Sequence, residues 1–111
     1  VIIRKNMQHQ LLPIVNTVVV ENIGIKLFTN TGSIDIYSCY FPGGLAGLDG
    51  IRKRQFAADI HILTGNDKYL LGGDFNSRHQ AWGCLRANCC GNILYEKLES
   101  YNIDIIFPCD Q

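Results

Sequence analysis

The sequence Tyr69-Leu-Leu-Gly-Gly-Asp74-Phe-Asn76-Ser-Arg-His-Gln-Ala-Trp-Gly83 joins a short apolar run to a glycine pair and a polar turn. The apolar run is typical of a β-strand that is covered on both faces, and the glycines allow the backbone to bend sharply and to approach a neighbour closely. In an extended chain, side chains two positions apart point to the same side. We therefore predict that Asp74 and Asn76 project together from the carboxyl end of this strand, the edge where open α/β sheets place their sites.

The sequence on either side of this stretch predicts an α/β fold. Upstream, apolar and β-branched residues form three segments separated by turns that contain Asn and Gly, which predicts an antiparallel meander. Downstream of Tyr40, a helix pattern separates two strand patterns by a crossover long enough for parallel pairing. We expect a mixed sheet with both helices packed on a common face. The predicted elements are strands at 15–21, 25–29, 34–40, 68–73 and 104–107 and helices at 51–64 and 92–101.

Length and composition limit the chain to one small domain at most. Its 111 residues are 47% hydrophobic and 18% charged, which fits a buried α/β interior and not a disordered tail. Position 1 is not Met and the chain stops soon after an apolar run, so we expect residues 1–111 to be one partial domain, truncated at both ends. Apolar runs fall far short of the roughly 20 residues that span a bilayer, and no membrane partner is predicted.

Charge and cysteine content say little about partners. Ten basic and ten acidic residues give a net charge of zero, whereas proteins that bind DNA through phosphates usually carry a basic face. The basic cluster at 52–54 is by default a solvated helix start, with DNA contact as the alternative. The five cysteines are odd in number and include no C-x-x-C pair, which disfavours a zinc site and a secreted disulfide framework. We expect buried thiols in a reducing, intracellular compartment, nuclear or cytoplasmic.

Several motifs together resemble one known family. Gly-Asp74-Phe-Asn76 is followed by Ser-Arg-His and Trp82-Gly83, preceded by Ser-Cys-Tyr40-Phe-Pro, and succeeded by Asn88-x-x-Gly. This set resembles the endonuclease/exonuclease/phosphatase superfamily and, more narrowly, the endonuclease domain of jockey-type non-LTR retrotransposons. The resemblance covers most of the chain from about Val15 onward. It implies the central part of a four-layer α/β sandwich, with mixed sheets flanked by helices.

The resemblance implies roles for three polar residues. Asp74 matches the family's catalytic aspartate and is a candidate ligand for Mg²⁺ or Mn²⁺, Asn76 matches the asparagine that binds the scissile phosphate, and Tyr40 matches a tyrosine that reaches the same phosphate. The chemistry suits these residue types, because a carboxylate can orient water while an amide and a phenol donate to phosphoryl oxygens. The structural alternatives are an Asx cap for Asp74 and Asn76 and an aromatic cap at the sheet edge for Tyr40.

Other residues near these motifs are candidates for DNA contact or for support. Arg78 is predicted to contact a neighbouring phosphate, and His79 either contacts substrate or fixes the loop, with the structural role favoured. Trp82 is predicted to be a buried anchor of the loop in preference to a platform for base stacking. Glu21 resembles the family's glutamate at the sheet end and is not expected to bind metal.

Some of the family's residues have no counterpart in this sequence. The metal-binding glutamate is not found before Val15, and the late aspartate and the Asp-His pair are expected beyond Gln111, so we expect the chain to be inactive alone. The leading hypothesis is a segment of a Mg²⁺-dependent DNA endonuclease, with a reverse transcriptase domain in the same polyprotein. The alternatives are another phosphoesterase of the superfamily, such as an inositol or lipid phosphatase or an RNA deadenylase, and a decayed or domesticated fragment without catalysis.

Overall fold

The computed structural model describes residues 1–43 and 50–107. In these residues four strands form one mixed sheet in the order β1-β2-β3-β4, in which the first three are antiparallel and β4 runs parallel to β3. The α/β prediction is therefore confirmed. The elements are β1 His9–Leu11, β2 Glu21–Thr29, β3 Gly32–Tyr40, α1 Gly50–Leu63, β4 Tyr69–Asp74, a 3₁₀ turn Gln80–Trp82 and α2 Cys89–Tyr101.

Both helices cover the same face of the sheet, as predicted. The apolar stripe of α1, formed by Phe56, Ile60 and Leu63, is buried against Tyr37 and Cys39 of β3. Cys90 of α2 belongs to the same buried cluster. The two helices also contact each other, since the rings of His61 and Tyr101 lie 5.6 Å apart between their centroids. The described residues thus form one sheet and one helical layer.

The opposite face of the sheet is apolar, and it is exposed along the edge strands β1 and β4 but buried at Ile25 of β2. The strand register aligns Leu11, Ile25, Ile36 and Leu70 in one row across the four strands. Leu70 is 50% exposed, so the prediction that β4 is covered on both faces is wrong for the described residues. The reason is that both helices pack on the other face, and the described chain places no element over Leu70.

The first predicted strand, 15–21, is wrong except for its last residue. Residues 15–20 are irregular, and β2 begins only at Glu21. The backbone N–H groups of Val18, Val19 and Val20 donate to the carboxylate of Asp59 in α1, and a strand would direct such groups to a neighbouring strand. The first strand of the meander is instead β1, in a segment for which the sequence shows no clear period.

The predicted turn at 22–24 lies inside β2. Gly24 pairs with Tyr37 of β3, and a Cβ at position 24 would lie 2.5 Å from the Tyr37 ring. The glycine therefore makes room for an aromatic ring that crosses the strand and does not introduce a turn.

The last predicted elements differ in extent or are not formed. Helix α2 begins three residues earlier than predicted, because Asn88 caps it by accepting a hydrogen bond from the Gly91 N–H at 2.8 Å. Residues 104–107 are not a strand. They line a cavity of about 400 Å³ together with residues of β4, and in the described part of the chain β4 pairs with β3 alone. In the described part of the chain, no helix has the length and apolar character to cross a membrane.

Candidate active site

The parallel strands β3 and β4 end side by side, and this brings Tyr40 and Asp74 together. The two residues are register partners, and the Phe41 N–H donates to the Asp74 carbonyl at 2.8 Å, just beyond the last pair. Glu21 pairs with Tyr40 from the other side. Tyr40 is 46% exposed, and Asp74 and Glu21 are exposed too. An acid, a phenol and a second acid therefore occupy neighbouring positions at one end of the sheet.

Gly73 permits this close approach of β4 to β3. Its φ is +140°, a conformation that side chains rarely adopt. A Cβ at this position would lie 1.8 Å from the carbonyl oxygen of Cys39. Any other residue here would push the end of β4, and Asp74 with it, away from Tyr40.

Asn76 reaches the same end of the sheet by a turn and not by extension of β4. The residue has a left-handed φ of +48°, and its N–H donates to Asp74 Oδ1 at 2.9 Å. Its side-chain Nδ2 donates to the Phe41 carbonyl at 2.7 Å. The prediction that Asp74 and Asn76 project together from an extended strand is wrong, because this Asx-type turn reverses the chain directly after Asp74. The turn nonetheless places Tyr40, Asp74 and Asn76 at one end of the sheet.

The following loop is held by Trp82 and His79. Trp82 is 5% exposed, and its Nε1–H donates to the Ser77 carbonyl at 3.2 Å, so it anchors the loop as predicted. His79 Nδ1 accepts from the Ala81 N–H at 3.0 Å. The His79 ring also stacks on Tyr95, with 4.2 Å between centroids and 8° between planes. These contacts give His79 a structural role.

Arg78 lies in this loop, between Ser77 and His79, and its side chain is exposed. Its backbone is bound on both sides, because its N–H donates to Asn88 Oδ1 at 3.0 Å and its carbonyl accepts from the Asn88 N–H at 3.0 Å. The guanidinium is thus carried by a fixed backbone next to the site. Contact of Arg78 or His79 with DNA stays a prediction.

Most of the chain, including the residues of the candidate site, matches a known family. A family model described as endonuclease-reverse transcriptase matches residues 34–110, which is more than half of the chain. The chain belongs to the endonuclease-reverse transcriptase family. The matched range includes Tyr40, Asp74 and Asn76 together with the loop and both helices. The resemblance stated from the motifs is therefore confirmed.

Two relatives of this endonuclease-reverse transcriptase chain are named as the RNA-directed DNA polymerase from mobile element jockey. The protein from Drosophila funebris is 28% identical over 108 residues, 96% of this chain and 11% of the relative. The protein from Drosophila melanogaster is 30% identical over 96 residues, 86% of this chain and 10% of the relative. The chain thus spans about a tenth of the length of these curated relatives. No solved structure is significantly similar to the chain.

The family resemblance implies a divalent metal, and Asp74 fits part of a site for one. Mg²⁺ is commonly held by one or two carboxylates, with substrate phosphates and waters filling the other positions. The hydrogen bond from Asn76 occupies one acceptor position of Asp74 Oδ1, and a carboxylate offers about four such positions. Within residues 1–43 and 50–107, no three His, Cys, Asp or Glu side chains are grouped closely enough to hold a metal by themselves.

The buried thiols near the site are not suited to catalysis. Burial raises the pKa of Cys39, the neighbour of Tyr40, to about 11, and burial also raises the pKa of Cys90 to about 11. Both thiols are therefore neutral at ordinary pH and serve as small apolar side chains, as predicted. Cys109 lies outside the described residues.

Sequence reasoning missed two residues with structural roles, of which Asn88 holds the loop at the site and Asp59 holds the segment before β2. Asn88 appeared only as part of a motif, and Asp59 did not stand out at all. Asn before an apolar helical pattern is a signal for a helix cap, which identifies Asn88 as a cap but not as a partner of the loop. An acidic residue on the apolar side of a helix, such as Asp59 beside Ile60, is the signal that indicates a buried carboxylate with partners.

Proposed function

We propose that this chain supplies part of the active site of a Mg²⁺-dependent DNA endonuclease. The reaction is hydrolysis of one phosphodiester in target DNA, and the nick primes reverse transcription by a polymerase domain in the same polyprotein. The observation that carries this proposal is the placement of Tyr40, Asp74 and Asn76 at the paired ends of β3 and β4. The names of the two relatives support the polymerase domain and favour this proposal over a phosphatase.

Each of the three side chains has a task that its position allows. The Asp74 carboxylate is exposed at the sheet end, where it orients the attacking water and takes up its proton while the P–O bond to the leaving sugar oxygen breaks; that oxygen takes a proton from solvent. Asn76 Nδ2 has two hydrogens, of which one is used on the Phe41 carbonyl, so the other donates to a phosphoryl oxygen. The Tyr40 phenol donates to the charge that develops on the phosphate. A bound Mg²⁺, held partly by Asp74, would supply further charge stabilisation.

The loop after Asn76 extends this site towards the DNA backbone. Arg78 is exposed while its backbone is fixed by Asn88, so its guanidinium contacts a phosphate next to the scissile one. His79 and Trp82 hold the loop in place through the Tyr95 ring and the Ser77 carbonyl. Substrate recognition by this part of the protein is therefore electrostatic and carries no sequence information of its own.

Nicking of supercoiled plasmid tests the proposed reaction. The full-length polyprotein should convert supercoiled plasmid to the open circle with Mg²⁺ and should stop when EDTA is added. It should release no inorganic phosphate from inositol or lipid phosphates. The 111-residue chain alone should give no nicking above a vector-only preparation, because Asp74 and Asn76 are only part of the groups that the chemistry needs. Release of phosphate from monoesters without plasmid nicking would refute the proposal.

A further inference from the structure

Asn88 joins the loop that carries Asn76 and Arg78 to the start of α2. Its side-chain Oδ1 accepts from the Gly91 N–H at 2.8 Å and from the Arg78 N–H at 3.0 Å. Its Nδ2 donates to the Asn76 carbonyl at 2.8 Å, and its backbone N–H donates to the Arg78 carbonyl at 3.0 Å. A single residue thus caps the helix and binds two residues of the loop. We call this set of contacts the Asn88 clasp.

The contact with Asn76 is important because Asn76 has an uncommon backbone conformation. A left-handed φ of +48° is uncommon outside glycine, although asparagine tolerates it better than most residues, so the hydrogen bonds around Asn76 help to hold it. Two of the hydrogen bonds that hold it involve the strand ends, through Asp74 Oδ1 and the Phe41 carbonyl. The third comes from Asn88 and fixes the Asn76 carbonyl. Without the hydrogen bond from Asn88, only the contacts with Asp74 and Phe41 hold the turn.

Gly91 allows the loop to lie directly on the helix. A Cβ at position 91 would lie 1.7 Å from the Arg78 carbonyl oxygen. This is the carbonyl that accepts from the Asn88 N–H, so a side chain at position 91 would open the clasp. The close approach of loop and helix therefore depends on Asn88 and Gly91.

We propose that Asn88 is a positioning residue of the nuclease site, because it holds Asn76 and Arg78 where both meet the DNA backbone. Helix capping alone does not explain an asparagine here, since aspartate and serine cap helices comparably. The amide of Asn88 offers an acceptor oxygen for the Arg78 and Gly91 N–H groups and a separate donor nitrogen for the Asn76 carbonyl, whereas a carboxylate has no donor and serine has a single oxygen for all three contacts. The catalytic part of this inference rests on the proposed function, whereas the clasp itself does not.

The Asn88→Asp variant separates capping from positioning. Its carboxylate keeps an acceptor for Gly91 and Arg78 but has no donor for the Asn76 carbonyl. In the 111-residue chain, the carbonyl carbon resonance of Asn76 should therefore shift, while amide exchange of Arg78 stays within about threefold of wild type. In Asn88→Ala the Arg78 amide should exchange about fivefold faster or more. An Asn76 resonance that does not move in Asn88→Asp would overturn the clasp.

Kinetics of the full-length polyprotein test the consequence for catalysis. Asn88→Asp should lower kcat for plasmid nicking about tenfold to a hundredfold through misplacement of Asn76, with KM within about twofold of wild type. Asn92→Asp is the matched control, because the exposed Asn92 adds the same charge in the first turn of α2; its kcat and KM should equal those of wild type.

Two outcomes would count against positioning. An unchanged kcat together with a shifted Asn76 resonance would overturn the catalytic role of Asn88, and so would an equal loss of kcat in Asn92→Asp, since added charge would then explain the effect. If the wild-type polyprotein nicks no DNA, the proposed function is refuted. In that case the Asn76 and Arg78 measurements still decide whether the clasp exists.

Discussion

Replacement of Asp59 by alanine should destabilise the fold strongly, although Asp59 lies far from the sheet end in sequence and has no part in the proposed chemistry. The residue is 1% exposed in α1. Its two carboxylate oxygens accept from the N–H groups of Val18, Val19 and Val20 at 2.7–3.1 Å. These residues belong to no strand, so their N–H groups depend on this carboxylate.

The expected loss follows from how well water can replace the carboxylate at each N–H group. Val20 is 2% exposed, and a buried donor without an acceptor costs about 1–3 kcal/mol. Val18 is 69% exposed, so water takes over most of its hydrogen bond, and Val19 is half-buried between these limits. We therefore expect Asp59→Ala to lower the free energy of unfolding by about 3–4 kcal/mol. This is a large part of the roughly 5–15 kcal/mol typical of a small domain.

Urea unfolding followed by the fluorescence of Trp82 measures this loss, because Trp82 is 5% exposed in the folded chain. The matched control is Asp67→Ala, which removes an exposed carboxylate from the turn before β4 and should change the free energy of unfolding by less than about 0.5 kcal/mol. A loss below about 1 kcal/mol for Asp59→Ala would refute the reasoning, since the three N–H groups would then have adequate acceptors elsewhere.

Two further predictions concern the neighbourhood of the site. Gly73→Ala should lower the free energy of unfolding by about 2–4 kcal/mol, because its φ is +140° and its Cβ would overlap the Cys39 carbonyl oxygen; a urea midpoint equal to that of wild type would contradict this. The free energy of unfolding should fall at high pH because of Cys39 and Cys90, since burial raises the pKa of both thiols from the ordinary 9.0 to about 11. The folded state keeps these protons where the unfolded state releases them, so the stability they contribute is complete below pH 9 and is lost as the pH rises towards 11. Urea midpoints measured across this range should fall less steeply in the Cys39→Ala, Cys90→Ala double variant, and an equal fall would show that these thiols are not responsible.

Much of the fold could be predicted because its signals are local. The stripe of Phe56, Ile60 and Leu63 predicts α1 to within one residue at each end, since that stripe is the buried face. The apolar run before Gly73 likewise predicts β4. By contrast, the β-branched Val18 to Val20 suggested a strand that does not form, because their N–H groups bind Asp59, which lies 39–41 positions away in sequence. No local pattern reveals such a partner.

Some features of the site likewise follow from local sequence signals, whereas others depend on residues distant in sequence. The meeting of Tyr40 and Asp74 follows from parallel pairing of two strands that a helix connects, and the sequence shows all three elements. The left-handed turn at Asn76 does not follow, because it depends on contacts with Phe41 and Asn88, 35 and 12 positions away. Motif resemblance identified the residue, but the hydrogen bonds that orient it required the structure.

The role of Asp74 is tested most directly by the rate of plasmid nicking by the full-length polyprotein that carries Asp74→Asn. This change keeps an oxygen to accept from the Asn76 N–H, removes the charge and basicity of the carboxylate, and puts an NH₂ group in place of its second oxygen. The same acid-to-amide change in Asp67→Asn, in the turn before β4, is the control. We expect Asp74→Asn to lower kcat about a hundredfold to ten-thousandfold, with an unchanged urea midpoint, and Asp67→Asn to nick at the wild-type rate. Nicking by Asp74→Asn at the wild-type rate would contradict the assignment of the active site to the paired ends of β3 and β4.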